Sequence, residues 1–171
     1  QYGREGYAVT IDTTMTEADF SGKKLGATGA QILAAFMSTK LFQDMGLLSK
    51  LTFCGNGGLR GGEGDAVTID TTMTEADFSG KKLGAAGAQI LAAFMSTKLF
   101  EAKGSLSSLI LKGNELIANR EAGAALGSML KTCTSLTALY VSENAYYQCD
   151  GPGFASEIAS GLRDAKGSLS R

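Results

Sequence analysis

The stretch Ala8–Phe42, AVTIDTTMTEADFSGKKLGATGAQILAAFMSTKLF, returns at Ala66–Phe100 with a single change, Thr28 to Ala86. Two near-copies offset by 58 residues mark an internal repeat, in which each unit has an apolar face that only a neighbouring unit can cover. The match runs on weakly at both ends. Gly3, Glu5 and Gly6 answer to Gly61, Glu63 and Gly64, and Leu48 and Leu51 to Leu106 and Leu109.

A shorter period lies inside that unit. Leu106, Leu109, Leu111, Asn114 and Leu116 form the pattern L-x-x-L-x-L-x-x-N-x-L, and Leu136, Leu139, Val141, Asn144 and Tyr146 repeat it. The duplicated stretch carries the same frame as Met15, Ala18, Phe20, Lys23, Leu25 and as Met73, Ala76, Phe78, Lys81, Leu83, with Leu48, Leu51, Phe53 and Asn56 between. Frames therefore begin near 15, 48, 73, 106 and 136, at steps of 33, 25, 33 and 30 residues, close to the period of leucine-rich repeats.

The helical part sharpens the comparison. Leu25-Gly26, Gly29-Ala30, Leu33-Ala34 and Met37, repeated as Leu83-Gly84, Gly87-Ala88, Leu91-Ala92 and Met95, follow the form L-G-x-x-G-A-x-x-L-A-x-x-L. With the strand frames, this resembles the ribonuclease-inhibitor-like class of leucine-rich repeat proteins. The resemblance implies an α/β leucine-rich repeat solenoid, a horseshoe arc of about five repeats spanning 1–171 as one domain, with a parallel concave sheet and convex helices. It also implies an intracellular protein-binding role, although such folds share a scaffold and not a reaction.

Side-chain periodicity leads to the same architecture. Alternate residues of a strand face opposite ways, so Leu109 and Leu111 point inward while Ser108, Ile110 and Lys112 point outward. Ala30, Leu33 and Met37 form the buried stripe of a helix over Ala27–Ser38, with Ile32 and Phe36 beside them. Further helices are predicted from Asn119-Arg-Glu121 through Leu130, and over Gly153–Leu162 after Pro152. The Ala-Val-Thr-Ile run of each copy is expected on the convex side, and Thr39–Gly46 as a return loop. Gly55–Gly64 holds six glycines in ten residues and is predicted to be a helix-less surface loop crossing that side. Asn114 should hydrogen-bond backbone groups in its turn. Ala165–Ser170 repeats Ala102–Ser107, a lead-in to a strand, and neither end carries a polar cap. The expectation is a piece of a longer array.

Composition narrows the function. Sixteen Lys and Arg against seventeen Asp and Glu leave a net charge of −1, with no excess of positive charge to hold phosphates, which argues against a nucleic-acid partner. No apolar run reaches about 18 residues, the length that reads as a membrane span. Cys54, Cys133 and Cys149 lack C-x-x-C spacing and the chain has no histidine, so reduced thiols are expected rather than a zinc site. The Gly-rich segment lacks the Lys-Ser or Lys-Thr pair of a phosphate loop and the spacing of a calcium repeat. Gly26-Ala-Thr-Gly29 fails as a dinucleotide fingerprint because Ile32 stands where the third glycine belongs. No cofactor or metal is expected.

General acid–base chemistry usually recruits His. Asp19 and Asp77, placed roughly 9–10 Å apart by strand spacing on one sheet, would sit on an open surface with nothing to exclude water, so no enzymatic activity is expected. The outward strand residues are instead the expected contact surface: Glu17, Asp19, Lys50, Thr52, Glu75 and Asp77, then Ile110, Lys112 and Tyr140. An aromatic with a charged surround suits a protein partner. The expectation is a protein–protein interaction module binding through the concave face. Two alternatives are an assembly subunit that packs through open solenoid ends and convex helices, and carbohydrate or ion binding at the acidic strands.

Overall fold

The structure is a computed structural model, and it describes residues 9–57, 62–118, 120–144 and 150–165. Tyr146, Cys149 and the strand lead-in beyond Ala165 lie outside the described residues, as do Asn119 and positions 58–61 of the Gly-rich segment. The chain forms β1 (Glu17–Asp19), α1 (Gly26–Met37), α2 (Lys40–Met45), β2 (Lys50–Gly57), β3 (Gly62–Asp70), β4 (Glu75–Asp77), α3 (Gly84–Met95), α4 (Lys98–Lys103), β5 (Ser108–Ile110), α5 (Arg120–Thr132), β6 (Ala138–Tyr140) and α6 (Gly151–Asp164), with a 3-10 turn at Leu116–Ala118.

The single long parallel sheet of a horseshoe solenoid is not formed. The strands make two three-stranded sheets, β1-β2-β3 and β4-β5-β6, and the first is mixed. The break lies at the Gly-rich segment, which was expected to be a loop. β2 runs on through Gly55 to Gly57, and β3 returns antiparallel to it, with Lys50 opposite Asp70, Cys54 opposite Ala66 and Gly57 opposite Gly62. The Ala-Val-Thr-Ile run of the second copy is therefore part of β3, inside the sheet, and not a segment on the helical side. Its occupancy of the second edge of β2 denies that edge to β4, so the parallel array stops there. In the first copy the same run, Val9–Ile11, is not a strand.

Glycine is required in this hairpin for contact, not for a loop. A Cβ on Gly55 would run into the Cα and carbonyl of Leu83, and one on Gly64 into the carbonyls of Lys81 and Lys82. The hairpin lies directly on the turn that leads into α3. Val67 and Ile69 on β3 complete the seam, both buried with Leu51 and Phe53 of β2.

In β4-β5-β6 the parallel register is Glu75–Ser108–Ala138, Ala76–Leu109–Leu139 and Asp77–Ile110–Tyr140. Ala76 and Leu109 are buried. Helices α1, α3, α5 and α6 pack side by side in chain order. The last pair approaches closely because Gly127 and Gly161 meet backbone to backbone, leaving no room for a Cβ on either.

Thr39–Gly46, expected as a return loop, is the short helix α2. The Thr39 hydroxyl accepts from the backbone N–H of Phe42 at 3.3 Å, a cap that satisfies one of the donors left open at a helix start. Thr97 does the same for Phe100 at the head of α4. Each short helix is then locked to the helix before it by an edge-to-face ring pair, Phe36 with Phe42 and Phe94 with Phe100, at centroid distances of 5.4 and 5.5 Å.

Two fully buried asparagines tie the turns of the second sheet together. Asn114 donates to the carbonyl of Phe78 at 2.7 Å and accepts from the N–H of Leu83 at 3.3 Å. Asn144 donates to the carbonyls of Leu111 and Val141, both at 2.8 Å, and accepts from the N–H of Asn114 at 2.6 Å. Each side chain thus joins two successive turns, beside backbone bonds such as Gly80 N–H to the Lys112 carbonyl and Gly113 N–H to that of Ser142.

Replacing Asn114 by Leu keeps the volume but leaves buried groups of Phe78 and Leu83 unpaired, so the unfolding free energy should fall by about 2–4 kcal/mol in urea melts; a loss under about 0.5 kcal/mol would remove the asparagine from this role. Glu143 holds φ +56°, where the matching turn positions are Gly22, Gly80 and Gly113 at φ +67° to +68°. Glu143→Gly relieves that backbone and gives up only an exposed ion pair to Lys112, so it should stabilise the chain by about 0.5–1 kcal/mol, read as a higher melting temperature.

Candidate functional site

The expected contact residues fall on two sheets. On the first, Glu17 stands opposite Lys50 and Asp19 opposite Thr52. The Lys50 ammonium lies 3.1 Å from the Glu17 carboxylate, and the Thr52 hydroxyl is 2.8 Å from that of Thr68 on β3. These side chains are largely engaged with one another. On the second sheet Asp77, Ile110 and Tyr140 share one row across three strands, with Glu75 in the row before. Ile110 is half-buried, and Tyr140 is 53% exposed. Lys112 sits just past β5 and pairs with Glu143 at 3.0 Å.

Asp19 and Asp77 were expected on one sheet at a separation set by strand spacing. They stand on edge strands of different sheets, so that separation does not apply. Both serve the backbone instead. The Asp19 carboxylate accepts from the N–H of Ser21 at 2.8 Å, and that of Asp77 from the N–H and hydroxyl of Ser79 at 2.9 and 2.6 Å. Asp12 and Asp70 repeat the device on Thr14 and Thr72. In all four the hydroxyl of the receiving Ser or Thr is the main influence holding the carboxyl below its ordinary range.

Cys54 is half-buried and Cys133 buried; both are free thiols, and burial raises the pKa of each. Among the described residues no group of three or more Cys, Asp or Glu side chains is placed to hold a metal ion. No described helix is long and apolar enough to cross a membrane.

One surface escaped the reading of the sequence. Ile32, expected beside a buried stripe, is 66% exposed, and Leu41, Met45 and Leu47 of the same helical corner are more than half exposed. A signal for it was present in the duplication. Beyond Phe42 and Phe100, Met45 and Leu47 stand where the second copy has Lys103 and Ser105.

No known protein family, curated protein or solved structure matches the chain.

The four aspartates bind protons less readily folded than unfolded, so the stability they supply is complete above the unfolded aspartate range near pH 4 and is lost as pH falls through their lower folded values. Urea midpoints should be flat from pH 7 to 5 and drop below about pH 4. Asp70→Asn, which keeps an acceptor but cannot titrate, should flatten part of that drop; an unchanged profile would remove Asp70 from it.

Proposed function

We propose that this chain is a non-catalytic protein-interaction module whose contact surface is the exposed face of β4-β5-β6, centred on Ile110 and Tyr140. The observation that carries the reading is the row Asp77–Ile110–Tyr140: an exposed aromatic beside an aliphatic side chain, flanked by a carboxylate and by Lys112. An aromatic anchor with a polar rim has the make-up of a binding hot spot, because the ring excludes water while the rim fixes orientation. The first sheet contributes less, since its Glu17–Lys50 and Thr52–Thr68 contacts are internal.

An assembly subunit packing through its helices is the second reading, supported by the apolar side chains exposed on α1 and α2.

Proteins captured on the immobilised chain would be compared with those captured on Ile110→Ala/Tyr140→Ala. A specific partner should be lost or weakened at least about 30-fold, equivalent to roughly 2 kcal/mol of hot-spot energy, with the circular dichroism spectrum unchanged. Equal capture by both would sink the strand-face site.

A further inference from the structure

The duplication supplies an internal control for the carboxylates of the strand face. β1 and β4 have the same sequence, Glu-Ala-Asp, and the same pattern of exposure. Their aspartates do the same work, Asp19 on Ser21 and Asp77 on Ser79. Their glutamates differ in what stands opposite them on the next parallel strand. Glu17 faces Lys50, whose ammonium lies 3.1 Å from its carboxylate, whereas Glu75 faces Ser108. Lys50 and Ser108 hold matching positions beyond the two copies, so one residue removes on the second sheet the ion pair made on the first. Among the described residues no hydrogen bond or ion pair reaches the Glu75 carboxylate. Lys112 of the same face is turned to Glu143 at 3.0 Å instead.

The loss of the lysine changes what the face can receive. The row Glu75–Ser108–Ala138 is one exposed carboxylate beside two small side chains, and two residues further along lies the row Asp77–Ile110–Tyr140. The rows are about 7 Å apart, the rise of two strand residues. An extended segment laid on the face has that same spacing between side chains i and i+2, which point the same way.

Taking this face as the contact surface, as above, we propose that it binds an extended protein segment carrying Lys or Arg two residues from an apolar side chain. The cation pairs with Glu75, and the apolar side chain packs on Ile110 and Tyr140. The partner's ammonium or guanidinium takes the place that the Lys50 ammonium holds on the first sheet, and its aliphatic stem lies over Ser108 and Ala138, where the side chains are short. Asp77 contributes less, because Ser79 already occupies its carboxylate. An exposed ion pair adds little affinity. Next to a ring that excludes water, Glu75 acts mainly by rejecting segments that bring a carboxylate or no charge to it.

Random peptides displayed on phage and selected on the immobilised full chain would test this. Enriched peptides should carry Lys or Arg two residues from an aliphatic or aromatic residue. For one of them, fluorescein-labelled and followed by anisotropy, Glu75→Gln should raise the dissociation constant about 5-fold. Ser108→Lys, which re-creates the Glu17–Lys50 pair inside the second sheet, should raise it at least as much, and Glu17→Gln should leave it unchanged. Selection on Glu75→Lys should replace the basic residue by Asp or Glu. Thermal melts of these variants should match the wild type. Peptides that need Ile110 and Tyr140 but lack the basic residue, or are indifferent to Glu75→Gln, would overturn the role of Glu75 and leave the strand-face site standing. No enrichment, or binding indifferent to Ile110→Ala/Tyr140→Ala, would overturn both.

Discussion

The absence of a side chain at Gly55 decides how the strands are shared. That residue lets the β2–β3 hairpin rest on the backbone of Leu83, and the hairpin then fills the edge of β2 that a further parallel strand would need. Parallel pairing resumes at β4 as a separate sheet. The rest of the fold follows: two short sheets, one row of helices, and α3 flanked by α1 and α5. A Cβ at Gly55 or Gly64 would push the hairpin off the Leu83 turn and expose Val67 and Ile69, whose burial is a large part of its attachment.

The turns between strands and helices are held by side chains as well as by backbone hydrogen bonds from one turn to the next. Aspartates bridge to nearby Ser and Thr residues on the exposed turns, and Asn114 and Asn144 do so in the interior, where water cannot substitute. Asp19 and Asp77 are two of the four acidic residues that β1 and β4 turn outward. Carboxylates already accepting two or three hydrogen bonds from their own loop have less to offer a partner, and the proposed contact surface moves toward the row with an aromatic side chain.

Much of this was legible in the sequence. The helix predicted over Ala27–Ser38 is observed as Gly26–Met37, the inward side chains Leu109 and Leu111 are fully buried, and Asn114 bonds the turn backbone. What failed was context. Glycine is a poor strand former by propensity, and only the tertiary contact with Leu83 makes it the required residue in β2. The loop expected over Thr39–Gly46 missed a local signal, a threonine three residues ahead of Phe42 that caps a single helical turn. The exposure of Ile32 could not be read from its own neighbourhood at all, because the same residues around Ile90 are buried. Strand alternation placed Glu17, Asp19, Glu75 and Asp77 outward correctly, and it carried no information about which of them the turns consume.

The near-identity of the two copies bears on how the chain finds its structure. Residues 8–42 and 66–100 differ only by Thr28 in place of Ala86, so their own residues do little to tell the two seats apart. What tells them apart lies outside the copies: Gly55 and Gly64, which rest on the turn after β4, and Gln43, which accepts from the N–H of Lys98. The glycine-rich hairpin thus marks the second copy, on whose Leu83 turn it rests.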